Sequence, residues 1–175
     1  RPQFEQRLKK HGIESNYAMG LRITEQSSLS LIKEAVGIAR IEIEAQFTRS
    51  LSNTPMSGTR IRIASGNLVT AKPYGVRDGI DYCYTGSVRR IEQTAIKSLL
   101  DADNIVLLSP LGYSATGETF NLRAEDIAAA AAVALNADKL IFMMEAEPLR
   151  GGKSNVIREL HTSDAQHLLL KRKKL

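Results

Sequence analysis

The stretch that decides the fold runs Ile105-Val106-Leu107-Leu108-Ser109-Pro110-Leu111-Gly112-Tyr113-Ser114-Ala115-Thr116-Gly117-Glu118-Thr119-Phe120-Asn121 and continues into an alanine-rich run ending at Leu135. Ile105 to Leu108 is uninterruptedly apolar, the pattern of a strand buried on both faces. A loop rich in glycine and hydroxyl residues follows. The sequence then predicts a helix from about Arg123 to Leu135, and a second buried strand over Leu140-Ile141-Phe142-Met143-Met144. Strand, helix and strand in that order make a βαβ unit with a right-handed crossover. In open sheets of this kind, ligands sit beyond the carboxyl ends of strands, where loops lead into helix N-termini. Gly112 and Gly117 would let a ligand approach the backbone, and the hydroxyls of Ser109, Ser114, Thr116 and Thr119 could donate to an anion. Asn121 is suited to cap the following helix. The same composition also fits an ordinary loop in which Asn121 is a cap and nothing more.

Upstream, Gln3 to His11 reads as an amphipathic helix closed by Gly12. Leu21-Arg22-Ile23-Thr24 is a short strand, and Thr24 can cap the long helix after it, with Glu25 in the first turn. Leu29, Ile32, Val36, Ala39, Ile43, Phe47 and Leu51 recur at steps of three or four, so that helix should carry a continuous buried stripe. Asn53 to Gly58, with Pro55, ends it. Arg60 to Ile63 and Leu68 to Ala71, separated by the Ser65-Gly66-Asn67 turn, predict a hairpin. Tyr82-Cys83-Tyr84 reads as another short strand. A helix follows through Ala95, Ile96, Leu99 and Leu100.

With 175 residues, 43% of them hydrophobic and 25% charged, the chain is expected to form one folded domain over residues 1–175. Its longest uncharged apolar stretch, Ile127 to Leu135, is too short to span a bilayer, and no secretory leader is read at its start. The single cysteine, Cys83, excludes an internal disulfide framework and fits a reducing, cytoplasmic setting, with a packing role for the thiol. The net charge of +5 is concentrated at Lys171-Arg172-Lys173-Lys174, which has no interleaved aromatics and reads as a solvated helix end rather than a nucleic-acid arm. Gly151-Gly152-Lys153-Ser154 mimics the end of a phosphate-binding loop, but Glu147 stands where that pattern needs its first glycine. His161 and His167 lack the companions of a zinc site, so no metal is expected.

Several segments together resemble the amino acid kinase superfamily. They are Leu21 to Thr24, Ile105 to Gly112, Gly117 to Leu122 and Ala137 to Ile141, and within the superfamily they are similar to the acetylglutamate kinase branch. Asn53 to Gly58, Ser65 to Asn67, Gly79 to Tyr82 and Val88 to Ile91 resemble the N-acetylglutamate synthase family more closely. The similarity covers nearly all of residues 1–145 and weakens beyond. It implies an α/β amino acid kinase fold, three-layered, with a mainly parallel open sheet between helices and a β-hairpin-rich insertion, cut at both ends. It implies a parent enzyme that moves acetyl from acetyl-CoA to the α-amino group of L-glutamate, the first step of arginine biosynthesis, with L-arginine as feedback effector. The acetyltransferase chemistry belongs to a separate domain whose signature is absent here, so no cofactor and no catalytic residue are expected in this chain, and acetyl-CoA is a substrate of that other domain. Homo-oligomers, by family analogy hexamers, are implied too.

By the same resemblance Arg22 matches a residue that pairs with the substrate carboxylate, and Asn121 a second substrate contact. Gly112 lies in the matching loop, and Glu125 stands where the kinase has an aspartate that organises catalytic lysines. Together Arg22, Gly112, Asn121 and Glu125 are expected to outline a vestigial kinase-type pocket. Arg22 could instead form a surface ion pair with Glu25 or Glu118. The kinase's first catalytic lysine belongs to a strand before Arg1. Two further readings stand beside this one: a fragment of an acetylglutamate kinase that phosphorylates N-acetyl-L-glutamate, and a basic nucleic-acid-binding module. Steep weakening with salt would mark the latter.

Overall fold

In the computed structural model, residues 12, 15–49, 58, 60–143 and 156–172 are described. The chain divides into two compact units, residues 1–140 and 141–175. The first opens with a hairpin, β1 (Tyr17–Ala18) and β2 (Leu21–Arg22). Met19 and Gly20, with φ of 49° and 75°, supply the two left-handed positions that a two-residue hairpin turn needs. The long helix α1 (Gln26–Thr48) follows. Next come β3 (Arg62–Ala64), β4 (Val69–Pro73), β5 (Val76–Arg77), β6 (Ile80–Asp81) and β7 (Gly86–Ile91). Helix α2 (Gln93–Asp101), β8 (Asn104–Val106), β9 (Leu111–Tyr113), β10 (Thr119–Asn121) and α3 (Ala124–Leu135) complete this unit. The described part of the second unit carries α4 (Thr162–Arg172).

The α/β reading holds, but the sheets are mixed. The largest has the order β10-β9-β4-β7; its outer pairs are antiparallel and only β4 and β9 run parallel. A separate parallel pair joins β3 to β8, matching Ile63 with Ile105. The expected hairpin between Arg60–Ile63 and Leu68–Ala71 is therefore absent: β3 takes a parallel partner some forty residues on, and β4 pairs back with β7. Ser65-Gly66-Asn67 is a turn between two sheets rather than within one.

The core lies between the four-stranded sheet and helices α2 and α3. Leu68, Val69, Ala71, Ile91, Ile96, Phe120, Leu122, Ile127 and Ala131 form one buried cluster. Ile127 and Ala131 share a face of α3 at a four-residue step, and Ile96 anchors α2. A smaller cluster sets Leu29 and Ile32 of α1 against Leu111, with Val36 and Tyr84 beside them. The stripe on α1 is shorter than its spacing suggests. Its buried residues fall within the first two turns, whereas Ile41 is 60% and Phe47 42% exposed. Periodicity marks a face that can be buried; only a neighbour buries it.

Leu140 to Met143, the described part of the expected second buried strand, pairs with no strand among the described residues, and Met143 is 95% exposed. An apolar run becomes a strand only when another strand accepts its backbone groups. The expected helix over Gln3 to His11 and the segment Asn53 to Ser57 lie outside the described residues, as do Leu51, Met144, Gly151 to Ser154 and Lys173 to Leu175.

Candidate functional site

The Ser109–Asn121 segment is a β-hairpin, not an open loop leading into a helix. Tyr113 pairs with Thr119, Gly112 with Phe120, and Leu111 with Asn121. The turn is closed locally: Ser114 N–H donates to the Glu118 carbonyl at 2.9 Å, and Gly117 N–H to the Ser114 carbonyl at 3.1 Å. The Ser114 and Thr116 hydroxyls lie 2.8 Å apart, and Thr116 Oγ1 donates to the Glu118 carboxylate at 3.1 Å. These hydroxyls, expected to serve an anion, are engaged with one another and with a carboxylate.

Gly112 is explained by packing. A Cβ there would stand 2.6 Å from Leu122 Cδ1 and 2.8 Å from Ala71 Cβ. The residue is buried, so β9 can lie close to β4 with Leu122 laid over it. Gly86 is required for the same reason beneath Phe120.

The polar centre of this unit lies at the base of the hairpin, where three elements meet. Asn121 Nδ2 donates to Thr24 Oγ1 at 3.0 Å, the Thr24 and Thr85 hydroxyls are 2.9 Å apart, and Thr85 Oγ1 donates to the Arg22 carbonyl at 2.5 Å. Thr24 is wholly buried and Thr85 nearly so. Backbone bonds brace the cluster: Tyr84 N–H donates to the Thr24 carbonyl and Asn121 N–H to the Tyr84 carbonyl, both at 2.9 Å. Thr24 therefore caps nothing; Glu25 holds the N-cap of α1, without a side-chain bond. Asn121 is likewise no cap, because α3 begins after Arg123.

The Arg22 side chain turns to the β1–β2 hairpin. Its guanidinium donates to Ser15 Oγ at 2.7 Å and to Tyr17 Oη at 2.5 Å, and it stacks 4.8 Å from the centre of the Tyr17 ring. Tyr17 is its direct cross-strand partner, which puts the two side chains on one face. The expected surface partners lie elsewhere, Glu118 being held by Thr116. Glu125 sits half-buried in the first turn of α3, with no ion pair or hydrogen bond among the described residues. The structure thus joins Arg22 and Asn121 through Thr24 and Thr85, and assigns Gly112 to the core.

Thr85 had no signal in the sequence. Tyr17 had a weak one, since a Met-Gly turn between two short β segments sets it opposite Arg22.

Cys83 lies in the turn before β7 with φ of 51°, half-buried, its N–H donating to Asp81 Oδ1 at 2.9 Å. Burial pushes its thiol pKa up, and the Asp81 and Glu25 carboxylates add to the rise, so it stays protonated at neutral pH. No cluster of three metal-binding side chains occurs among the described residues.

The model of the amino acid kinase family matches residues 1–173. Amino-acid acetyltransferases of Pseudomonas fluorescens (strain Pf-5) and Pseudomonas putida (strain GB-1) are 51% and 49% identical, over 91% and 96% of this chain. The chain spans 37% and 39% of their lengths. Two crystal structures of N-acetylglutamate synthase from Neisseria gonorrhoeae superpose with TM-scores of 0.83 and 0.80. One holds coenzyme A and L-arginine, the other coenzyme A and N-acetyl-glutamate. Identity to them is 33% and 32%, covering 95% of this chain in each and 39% and 37% of theirs.

Proposed function

Because the chain belongs to the amino acid kinase family, we propose that it is the regulatory kinase-like part of an amino-acid acetyltransferase that makes N-acetylglutamate. In the parent reaction the thioester C–S bond of acetyl-CoA breaks and a C–N bond forms to the α-nitrogen of L-glutamate. Coenzyme A leaves as the thiol, and the amine gives up a proton. We place this activity outside residues 1–175, with L-arginine as the effector of this part, and the protein working as a cytoplasmic homo-oligomer. The observation that carries the reading is about 50% identity to amino-acid acetyltransferases over nine-tenths of the chain.

The site agrees. Phosphoryl transfer depends on cations placed on the moving phosphate, yet no lysine occurs between Lys97 and Lys139, the stretch that builds the pocket. Glu125 has no cation beside it among the described residues. The amino-acid recognition that the family likeness implies is assigned in this reading to Arg22 and Asn121. No helix among the described residues is long and apolar enough to cross a membrane.

The test is an assay of the full-length parent for glutamate-dependent release of coenzyme A thiol, with and without L-arginine. Acetylation that arginine suppresses is the expected result. ATP-dependent phosphorylation of N-acetyl-L-glutamate by the same protein would sink the reading in favour of a kinase.

A further inference from the structure

The β5–β6 hairpin pairs with no other strand among the described residues. Its turn holds the one place in the chain where an aspartate or asparagine precedes glycine, Asp78-Gly79. Asp78 has φ of 50° and Gly79 of 76°, so both central residues of this two-residue turn are left-handed, the type I′ geometry that suits a hairpin. Both are exposed. The Asp78 carboxylate has no hydrogen bond or ion pair among the described residues, and the Gly79 N–H donates to nothing there. In an Asp-Gly step that nitrogen can attack the preceding side-chain carboxyl carbon, because glycine has no Cβ to hinder the approach.

The closed turn prevents that attack. A left-handed residue has positive ψ as well as positive φ, which sets the following nitrogen nearly anti to Cβ across the Cα–C bond, out of reach of Cγ. Ring closure needs the nitrogen swung round beside Cβ, and the rotation breaks the pairing of Arg77 with Ile80. Little opposes it. The hairpin has two residue pairs, Val76 is 65% exposed, and the bond at its base, from Tyr82 N–H to the Gly75 carbonyl, is 3.3 Å long. A two-stranded hairpin of this size opens easily.

We propose that Asp78 is a site of spontaneous isoaspartate formation, gated by opening of the β5–β6 hairpin, and that the product keeps the hairpin open. In the open hairpin the Gly79 nitrogen bonds to Asp78 Cγ, and its proton leaves with the carboxyl hydroxyl as water, closing a succinimide ring. Water then returns to either ring carbonyl. Addition at Cγ restores aspartate. Addition at the main-chain carbonyl breaks its bond to Gly79 and leaves the chain running through Cγ, with a free α-carboxylate. Water is the sole co-reactant, and nothing is oxidised or reduced. The product carries an extra carbon in the backbone, so the two-residue turn cannot re-form in register. Arg77, whose guanidinium stands 5.6 Å from the centre of the Tyr74 ring, then loses that seat.

The experiment incubates the full 175-residue chain for weeks at neutral pH and maps its peptides with electron-transfer fragmentation, which tells isoaspartate from aspartate. Isoaspartate should build up at Asp78 ahead of every other aspartate. Asp103, left-handed as well but followed by Asn104, is the internal control and should stay aspartate. Amide exchange, corrected for intrinsic rates, should find the Ile80 N–H about tenfold or more faster than that of Val69 in the buried sheet. Urea below the global unfolding transition should speed the conversion. Gly79→Asn keeps a residue that accepts the left-handed conformation but puts a side chain in the nitrogen's path, so it should suppress the product. Conversion at Asp78 no faster than at the other aspartates, conversion that waits for global unfolding, or conversion of Gly79→Asn at the wild-type rate overturns the proposal.

Discussion

Two hydroxyl clusters sit at opposite ends of the β9–β10 hairpin, and they behave differently. At the tip, Ser114, Thr116 and Glu118 bond within five residues of one another, and Thr116 and Glu118 are exposed. At the base, Thr24 and Thr85 are buried, and Asn121 reaches Thr24 across 97 positions of chain. Water can replace any bond at the tip at little cost. At the base it cannot, so each group there depends on the others. Hydroxyl side chains stand in both places; burial decides which cluster is structural.

The largest effect should come from removing the packing that keeps the base dry. Phe120 is 4% exposed, lies over Gly86 and faces the Tyr84 ring at 6.4 Å. Phe120→Ala should cost about 3–5 kcal/mol of unfolding free energy, from lost burial and the cavity left behind. Urea unfolding measures it. A cost within 1 kcal/mol would mean that the base is not sealed, and the contrast between the two clusters would lose its physical ground.

Next in size is the polar cluster itself. Thr24→Val keeps the shape but leaves the Asn121 amide and Thr85 without their shared partner, at about 1–3 kcal/mol. Thr116→Ala at the tip should stay within about 0.5 kcal/mol of the wild type, as exposed substitutions do. Equal costs for the two variants would break the comparison outright.

These ends also mark where the sequence stopped being informative. Helices α2 and α3 were legible because their apolar residues repeat at the helical period and their contacts are made by a single face. Ile105 to Val106 was legible as a strand, but Ile105 is 43% exposed and Leu107 and Leu108 lie beyond the strand, so the burial on both faces that the apolar run suggested does not hold. The β9–β10 hairpin was not, since Gly-Ser-Thr chemistry reads alike in a ligand loop and in a hairpin turn. Thr24 looked like a helix cap because a threonine before a helix usually is one; its true partners are set by a fold that joins residues 24, 85 and 121. Arg22, Asn121 and Gly112 were singled out through family likeness; at Gly112 the space a Cβ would need is taken by Leu122. Distant pairing, which no local pattern encodes, accounts for the misses.

The smallest effect tests a third polar group, between those extremes. Glu92 accepts from Thr70 Oγ1 at 2.7 Å and from Arg90 at 2.8 Å, where the Arg90 side chain is 71% exposed. The Thr70 hydrogen bond, and then Arg90, hold its carboxyl pKa below the ordinary glutamate value. A lowered folded-state pKa means that the folded chain binds the proton less readily than the unfolded chain. The contribution is complete above the unfolded glutamate pKa, about 4.3, and is lost as pH falls through the lower folded value. Glu92→Gln should therefore flatten the acid limb of the stability–pH curve and leave stability at neutral pH slightly reduced. With Arg90 so exposed, solvent screens the pair, and the change should be smaller than that of Thr24→Val. An unchanged acid limb would place Glu92 with the tip, as a surface group that the fold does not use; a loss matching Thr24→Val would place it with the base.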